Sequence, residues 1–303
     1  MLKEAVSYSI AEEESVRIVQ VTDPHLFADP EAQLLGVNTS KSFAAVLNTI
    51  RAVDYPAHLM LATGDLSQDY SPESYRQFVA AVAPLNLPCH YLPGNHDDPR
   101  IMFLHMQGER IFGQQRILVG KWQILMLDST VRGKPGGNMA ESQFELIEQA
   151  IAAHPDRHTL LVMHHNPILV NCAWLDQHCM DNGTEFLRRV AQYPQVKGLL
   201  WGHVHQQLDT DYDGPHGALQ LMATPSTCIQ FKPQSPYFAL DGLQPGYRLL
   251  ELKADGSICT NVYRVPGNLF SPIKIPAVIN ASDRSLRNYA ALYSRIQQFT
   301  FLR

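Results

Sequence analysis

The stretch that decides the fold is His58-Leu59-Met60-Leu61-Ala62-Thr63-Gly64-Asp65. Residues 58–62 form a short apolar run, which is typical of a strand buried on both faces. Gly64 lets the chain turn sharply, so Asp65 is expected at the carboxyl end of that strand. Apolar runs that end in a polar motif recur along the chain, and each one predicts another buried strand.

Segments with helical periodicity lie between these apolar runs. Residues 43–53 follow helical spacing after a cap at Thr39 or Ser40, and Ser71-Pro72 is a typical start of a second helix. Further helices are predicted at about residues 141–153 and 184–193. Strands are predicted at residues 16–21, 58–62, 89–92, 122–127, 159–163, 196–201, 219–222, 228–231, 247–252 and 258–265. This alternation predicts an α/β fold, a four-layer αββα sandwich of two mixed sheets flanked by helices.

The pattern extends over residues 1–267, which are expected to form one domain. The stretch 213–246 is rich in Gly and Pro and predicts loops over a functional site. Beyond Gly267 the periodicity weakens, so residues 268–303 are interpreted as a C-terminal tail of unknown role. The tail contains no candidate metal ligand, and its removal is expected to leave the site intact.

Composition excludes several classes of function. The formal net charge of the 303 residues is -5 and no block of Lys or Arg stands out, which argues against a nucleic-acid partner. The five cysteines form no C-x-x-C pair, and the N-terminus has no secretion signal, so reduced thiols and a cytoplasmic location are expected. The apolar runs are too short to span a membrane.

Five polar motifs directly follow predicted strands, where open α/β sheets usually build their sites. Their convergence would collect two carboxylates, one amide and four imidazoles, a donor set that suits two metal ions. Two such ions acidify water towards a pKa of about 7 and clamp the oxygens of a phosphoryl group. Each motif alone is a weak signal, since D-x-H and H-x-H are common and Gly94–Asp97 could be a simple turn. The joint occurrence favours a metal site with these donors: Asp23, His25, Asp65, Asn95, His164, His203 and His205.

The order D-x-H, G-D, G-N-H-D, H and G-H-x-H, spread over about residues 15–265, resembles the calcineurin-like metallophosphoesterase signature. The resemblance implies a metallophosphoesterase catalytic domain in which a hydroxide bridging two metals attacks a phosphate ester. It also implies that His96 is not a ligand and contacts the phosphate or the leaving group. Metal one would be held by Asp23, His25, Asp65 and His205, and metal two by Asp65, Asn95, His164 and His203.

Closer features look like the bacterial class III cyclic AMP phosphodiesterases: residues 36–39, 64–75, 223–233 and 246–248. That resemblance implies hydrolysis of 3′,5′-cyclic AMP to 5′-AMP, with iron or manganese as the metals and zinc as an alternative. A homodimer is left open as a further expectation. The residues expected to contact the cyclic nucleotide are Asn38, Asn95, His96, Thr224 and Phe231, with Phe231 offering a ring face to the base.

Two other functions remain as alternatives. The same donors could serve another small diester, such as a glycerophosphodiester. A non-catalytic scaffold of the same fold would be expected to lack ligands or His96, whereas all of them are present in the sequence. Among the remaining histidines, His165 is expected to face away from the metals or to support a ligand, and His178 is expected at the surface.

Overall fold

A computed structural model of the protein describes residues 4–11, 13–53 and 55–273. Two large β-sheets lie face to face, and helices cover their outer faces. This arrangement confirms the predicted four-layer αββα sandwich. Most of the predicted tail, residues 274–303, lies outside the described residues.

The helices and strands alternate along the chain as the apolar runs predict. The α-helices are α1 (Thr39–Ala52), α2 (Pro72–Val82), α3 (Pro99–His105), α4 (Glu141–Ala153) and α5 (Gly183–Val190), with 3-10 turns at Ala83–Leu85 and Asp176–His178. None of the helices in the described part of the chain has the length and apolar character needed to cross a membrane. The strands are β1 (Val6–Tyr8), β2 (Val16–Val21), β3 (Gln33–Leu34), β4 (Val37–Asn38), β5 (Leu59–Thr63), β6 (Cys89–Leu92), β7 (Ile111–Phe112), β8 (Arg116–Val119), β9 (Trp122–Met126), β10 (His158–Val162), β11 (Val196–Trp201), β12 (Leu208–Gly214), β13 (Gly217–Ala223), β14 (Gln230–Phe231), β15 (Leu240–Asp241), β16 (Gly246–Leu252) and β17 (Ile258–Arg264).

Both large sheets are mixed. The seven-stranded sheet has the order β1-β8-β9-β10-β11-β13-β12, and the six-stranded sheet has the order β17-β16-β2-β5-β6-β7. Strands β9, β10 and β11 run parallel in the first sheet, and β2, β5 and β6 run parallel in the second. Parallel strands end at one edge of a sheet, so the motifs that follow them are brought to the same place.

Alternate residues of the central strands serve two different cores. In β2, Val16 and Ile18 face the apolar layer between the sheets, whereas Val19 and Val21 face α1 and α2. A strand buried on both faces reads as a continuous apolar run, which explains why the sequence revealed these strands. The rigid double layer supports the loops at the strand ends.

Several elements differ from expectation in their bounds or in their caps. Helix α1 begins at Thr39 and is capped by Asn38, whose Oδ1 accepts from the backbone N–H of Lys41 at 2.8 Å, rather than by Thr39 or Ser40. The strand predicted at 228–231 is only Gln230–Phe231, whereas the strand predicted at 219–222 is confirmed as β13, within the stretch 213–246. The predicted start of α2 is confirmed, with Ser71 as its cap and Pro72 as its first residue.

Candidate functional site

The five polar motifs meet at the carboxyl ends of strands from both sheets. Asp23 and His25 follow β2, Asp65 follows β5 and Asn95 follows β6 in the six-stranded sheet. The loops after β10 and β11 of the seven-stranded sheet carry the remaining donors. All seven predicted donors are therefore brought together, with four from one sheet and three from the other: Asp23, His25, Asp65 and Asn95, and His164, His203 and His205.

Asp65 lies at the centre of this group. Its Oδ2 is 3.4 Å from Nε2 of His164 and 3.8 Å from Nε2 of His25. Asn95 Oδ1 also approaches Nε2 of His164, at 3.2 Å. The carboxylate thus faces imidazoles of both predicted metal sites, which is the position that a bridging ligand needs.

Asp23 is fully buried beside the same imidazoles. Its Oδ1 lies 3.3 Å from Nε2 of His205. Burial opposes ionisation of Asp23, but the imidazoles of His205 and His164 outweigh it and lower the pKa of this carboxyl. Two buried carboxylates side by side are costly without positive charge between them.

Backbone carbonyls orient three of the imidazoles. His164 Nδ1 lies 2.8 Å from the carbonyl of Thr63, and His205 Nδ1 lies 2.9 Å from that of Ile229. In His203 the nitrogen beside a carbonyl is Nε2, which lies 3.1 Å from the carbonyl oxygen of His178. A nitrogen beside a carbonyl carries the proton, so the second nitrogen of each ring keeps its lone pair for a metal.

The donor set fits two cations. His25 Nε2 and His205 Nε2 are 3.2 Å apart, so both nitrogens are close enough to bind one cation. Burial lowers the pKa of His25 to about 3, which keeps this ring neutral and able to act as a ligand. The donor atoms of Asp23, His25 and His205 all lie within 4.8 Å of one another, and so do those of Asp23, Asp65 and His164.

The backbone at the site adopts a conformation that side chains rarely accept. Left-handed φ angles of 48–63° occur at five of the seven donors. A Cβ on Gly64 would lie 2.5 Å from Nδ1 of His164 and 2.8 Å from the nitrogen of Gly94, so the two loops approach closely only because both positions are glycine. Strain of this kind is typical of functional sites. The donors concerned are Asp23, His25, Asp65, His203 and His205.

Asp97 joins the loop after β5 to the loop after β6. It is buried, and its carboxylate also accepts a hydrogen bond from the hydroxyl of Tyr75 at 3.1 Å. Burial and the nearby Asp65 carboxylate raise the pKa of Asp97 to about 7. The carboxylate fixes the spacing of the two loops because it accepts at 2.9–3.2 Å from the backbone N–H groups of Gly94, Leu66 and Ser67.

His96 is half-buried and lines the cavity above the donors. Its backbone N–H donates to Asp65 Oδ1 at 2.7 Å, and its Nδ1 accepts from Nε2 of Gln68 at 3.3 Å. Burial lowers the pKa of His96, so the neutral ring carries its proton on Nε2. Gln68 therefore selects the tautomer in which His96 can donate, a role that the sequence did not reveal.

The cavity has a polar floor and an apolar wall. The floor consists of His96 and every donor except Asp23 and His164, which are fully buried, and Gln68, Pro135 and His178 lie beside it. Phe231 stacks on the ring of His205, with centroids 4.2 Å apart and planes 9° from parallel. The wall is formed by Leu34, Leu35, Leu175, Ile229, Phe231 and Phe238.

Two of the five residues expected to contact substrate are elsewhere. Asn38 caps α1 and donates from Nδ2 to the carbonyl of Pro30 at 3.0 Å, so its amide is occupied outside the cavity. Thr224 is fully buried, where its hydroxyl donates to Gln20 and accepts from Nε of Arg248. The other three line the cavity: Asn95, His96 and Phe231.

His178 takes a position that the sequence did not indicate, whereas His165 lies where it can support a ligand, one of its two expected positions. His178 is half-buried rather than at the surface, lines the cavity, and holds His203 through its carbonyl. His165 lies beside the donors, with its ring centroid 4.7 Å from that of His203 and its Nδ1 2.8 Å from Oγ of Ser129. No local pattern could have identified His178, because its loop reaches the site only through the tertiary fold.

Known proteins are similar to this chain in sequence and in fold. The profile of the calcineurin-like phosphoesterase family matches residues 16–207. A relative from Escherichia coli (strain K12), named 3′,5′-cyclic adenosine monophosphate phosphodiesterase CpdA, is 46% identical over 89% of this chain and 98% of its own length. A 3′,5′-cyclic-nucleotide phosphodiesterase from Nostoc sp. is 36% identical over 84% of this chain and 94% of its own. The crystal structure of a dimetal phosphatase from Danio rerio, 14% identical, aligns with a TM-score of 0.52 over 81% of this chain and 98% of that one, which shows a shared fold. The chain belongs to the calcineurin-like phosphoesterase family.

Proposed function

We propose that this protein hydrolyses 3′,5′-cyclic AMP to 5′-AMP at a site that holds two metal ions. The observation that carries the proposal is a cavity with five metal donors and His96 on its floor, two further donors buried beneath them, and an apolar, aromatic wall beside them. Such a cavity suits a ligand with a charged phosphate at one end and a flat base at the other. The relatives named as cyclic AMP phosphodiesterases support the same substrate.

Two ligand sets would hold the metals, with Asp65 shared between them. When bound, two divalent ions neutralise the phosphate charge and lower the pKa of water to about 7. Imidazole, carboxylate and amide donors suit iron and manganese, and zinc is the alternative that elemental analysis would reveal. The first set is Asp23, His25, Asp65 and His205, and the second is Asp65, Asn95, His164 and His203.

His96 would supply the proton that the leaving group needs. In the reaction, the oxygen of water forms a new bond to phosphorus while the bond between phosphorus and O3′ breaks. The departing O3′ must gain a proton, which His96 would supply from its imidazolium form through Nε2, and the proton that the attacking water gives up would restore that form. The same N–H can stabilise charge on the phosphate oxygens before the bond breaks.

The nucleoside would lie against the apolar wall. One face of Phe231 is covered by His205, so the base meets the edge or the remaining surface of this ring rather than both of its faces. The edges of Trp174 and Phe238 pack on Phe231 at centroid distances of 4.9 and 5.7 Å and hold it in place. The wall therefore offers a rigid apolar surface, which favours a planar base over a flexible glycerol ester.

The test is a product assay. Protein loaded with Mn²⁺ or Fe²⁺ is incubated with cyclic AMP, and 5′-AMP is measured by chromatography, with chelator-treated protein as the control. Accumulation of 5′-AMP with little further loss of AMP is expected. Survival of cyclic AMP, while a glycerophosphodiester or a phosphomonoester is consumed, would reject the substrate but keep the enzyme class. The homodimer and the cytoplasmic location remain predictions.

A further inference from the structure

The described part of the C-terminal tail returns to the hairpin of β3 and β4, beside the cavity. After Gly267 the chain reaches Phe270, whose backbone N–H donates to Oε1 of Gln244 at 2.9 Å and whose carbonyl accepts from Nε2 of the same side chain at 3.0 Å. Three residues later, the N–H of Ile273 donates to the carbonyl of Leu35 at 2.9 Å. Residues 268–273, which we name the 268–273 segment, are thus attached at both ends.

The segment is attached to the hairpin of β3 and β4, which forms one side of the cavity. The two-residue turn of this hairpin has positive φ angles at Leu35 (49°) and Gly36 (90°), as a type I′ turn requires. Each strand has only two residues, and so short a hairpin has little stability of its own. Leu34 and Leu35 nevertheless line the cavity and must be held in place.

The segment covers this turn closely. A Cβ added to Gly36 would lie 2.8 Å from Cγ2 of Ile273 and 3.1 Å from its nitrogen. Phe270 packs against the apolar cluster that contains Leu34 and Ile229, and Phe231 packs against the same cluster. One apolar cluster therefore connects the tail to the wall of the cavity, and it meets the donor His205 only at its far side, through Ile229 and Phe231.

We propose that the 268–273 segment positions the β3–β4 hairpin and thereby sets the affinity of the cavity for the nucleoside part of the substrate. The inference rests on the proposed function, since it assigns the nucleoside to the apolar wall. Among the described residues no hydrogen bond joins the segment to a donor or to His96, so its loss is expected to act on substrate affinity and to leave metal binding and the proton donor in place. Phe270, Ile273 and Gly36 are positioning residues.

The experiment compares Phe270→Ala, Gly36→Ala and a chain that ends at Gly267 with the control Leu269→Ala. Leu269 is the neighbour of Phe270 but is 71% exposed and packs against nothing in the cluster. The three test variants are expected to raise KM for cyclic AMP on the order of tenfold with little change in kcat. KM for bis(p-nitrophenyl) phosphate, which has no nucleoside, and two metals per chain should stay as in the wild type.

Amide hydrogen exchange of residues 33–38 gives a second measurement that does not depend on the substrate. Exchange there should become faster in Phe270→Ala and stay unchanged in Leu269→Ala. If wild-type protein leaves cyclic AMP intact, the proposed function fails, and the exchange rates still decide whether the segment holds the hairpin. Unchanged KM and unchanged exchange in the truncated chain, or an equal rise in KM for both diesters, would overturn the inference.

Discussion

At the scale of single residues, both proposed metal sites depend on Asp65. Its carboxylate faces His25 on one side and His164 on the other. Asp65→Ala is expected to lose both metals and to lower activity by more than roughly 100-fold, since even outer-shell partners of a metal contribute about 10–100-fold. Metal content per chain is measured by elemental analysis. Asp69→Ala, which changes an exposed carboxylate in the same loop, is the control, and two metals retained in Asp65→Ala would reject the bridge.

His96 is expected to act on rate without holding a metal. His96→Ala should keep two metals per chain and reduce kcat for cyclic AMP by roughly 10²–10⁴-fold, the usual contribution of a general acid. The loss should be smaller for bis(p-nitrophenyl) phosphate, because p-nitrophenolate leaves without a proton. Steady-state kinetics on both diesters provide the comparison. An equal fall in kcat for both diesters would contradict proton donation by His96 and would indicate that its ring only stabilises charge on the phosphate.

The sequence could identify residues whose role is local, and it misplaced residues whose role depends on the tertiary fold. The donor motifs stand directly after apolar runs, so their common position followed from strand geometry. Asn38 precedes a helix, and a capping amide looks the same in sequence as one that binds a ligand. His178 supports His203 through its backbone carbonyl, which no side-chain pattern can reveal.

At the scale of elements, the backbone strain of the site lies in the loops that follow the strands. Gly64 has a φ of 94° and lies against both His164 and Gly94. Gly64→Ala is expected to lower the free energy of unfolding by about 2–4 kcal/mol, through left-handed strain and steric overlap, and to weaken metal binding. Urea denaturation measures the loss.

Two other glycines serve as controls for that variant. Gly242→Ala should have little effect, because an added Cβ meets nothing within 4 Å. Gly217 has a φ of 111°, and an added Cβ there also meets nothing within 4 Å. The loss of stability in Gly217→Ala therefore measures backbone strain without steric overlap. A Gly64→Ala variant as stable as Gly242→Ala would show that the loops can move apart.

Elements with a strong period were predictable, and short ones were not. Residues 16–21, 89–92 and 196–201 were predicted with the same bounds as β2, β6 and β11, because apolar residues predominate in strands that are buried on both faces. The β3–β4 hairpin has two residues per strand, too few to show a period. Its place in the cavity wall depends on residues more than 200 positions later in the chain.

At the scale of the whole molecule, Tyr8 and His90 connect the two sheets. The hydroxyl of Tyr8 in β1 lies 2.9 Å from Nε2 of His90 in β6, within the apolar layer. Burial lowers the pKa of His90 to about 3, against about 6.5 in an unfolded chain. Between these values only the unfolded chain binds the proton, so stability falls as pH falls, by about 1.4 kcal/mol per pH unit from this group.

The variant that tests this pH dependence is His90→Phe. Its ring can still stack on Phe112 but cannot be protonated. Its free energy of unfolding should decrease less steeply between pH 6.5 and pH 5 than that of the wild type. Denaturant titrations at the two pH values, in the presence of a chelator, give both slopes. The other histidines contribute equally to the two proteins, and identical slopes would show that His90 is protonated in the folded state.

The donors of the site come from distant parts of the chain as well as from both sheets. Each proposed set combines residues before position 96 with a residue at 203 or 205. A ribosome makes the N-terminal donors first, so a nascent chain that ends before His203 can offer neither ion a complete set. Capture of the metals would then be a late event in biosynthesis, and incomplete chains would compete poorly for metal ions.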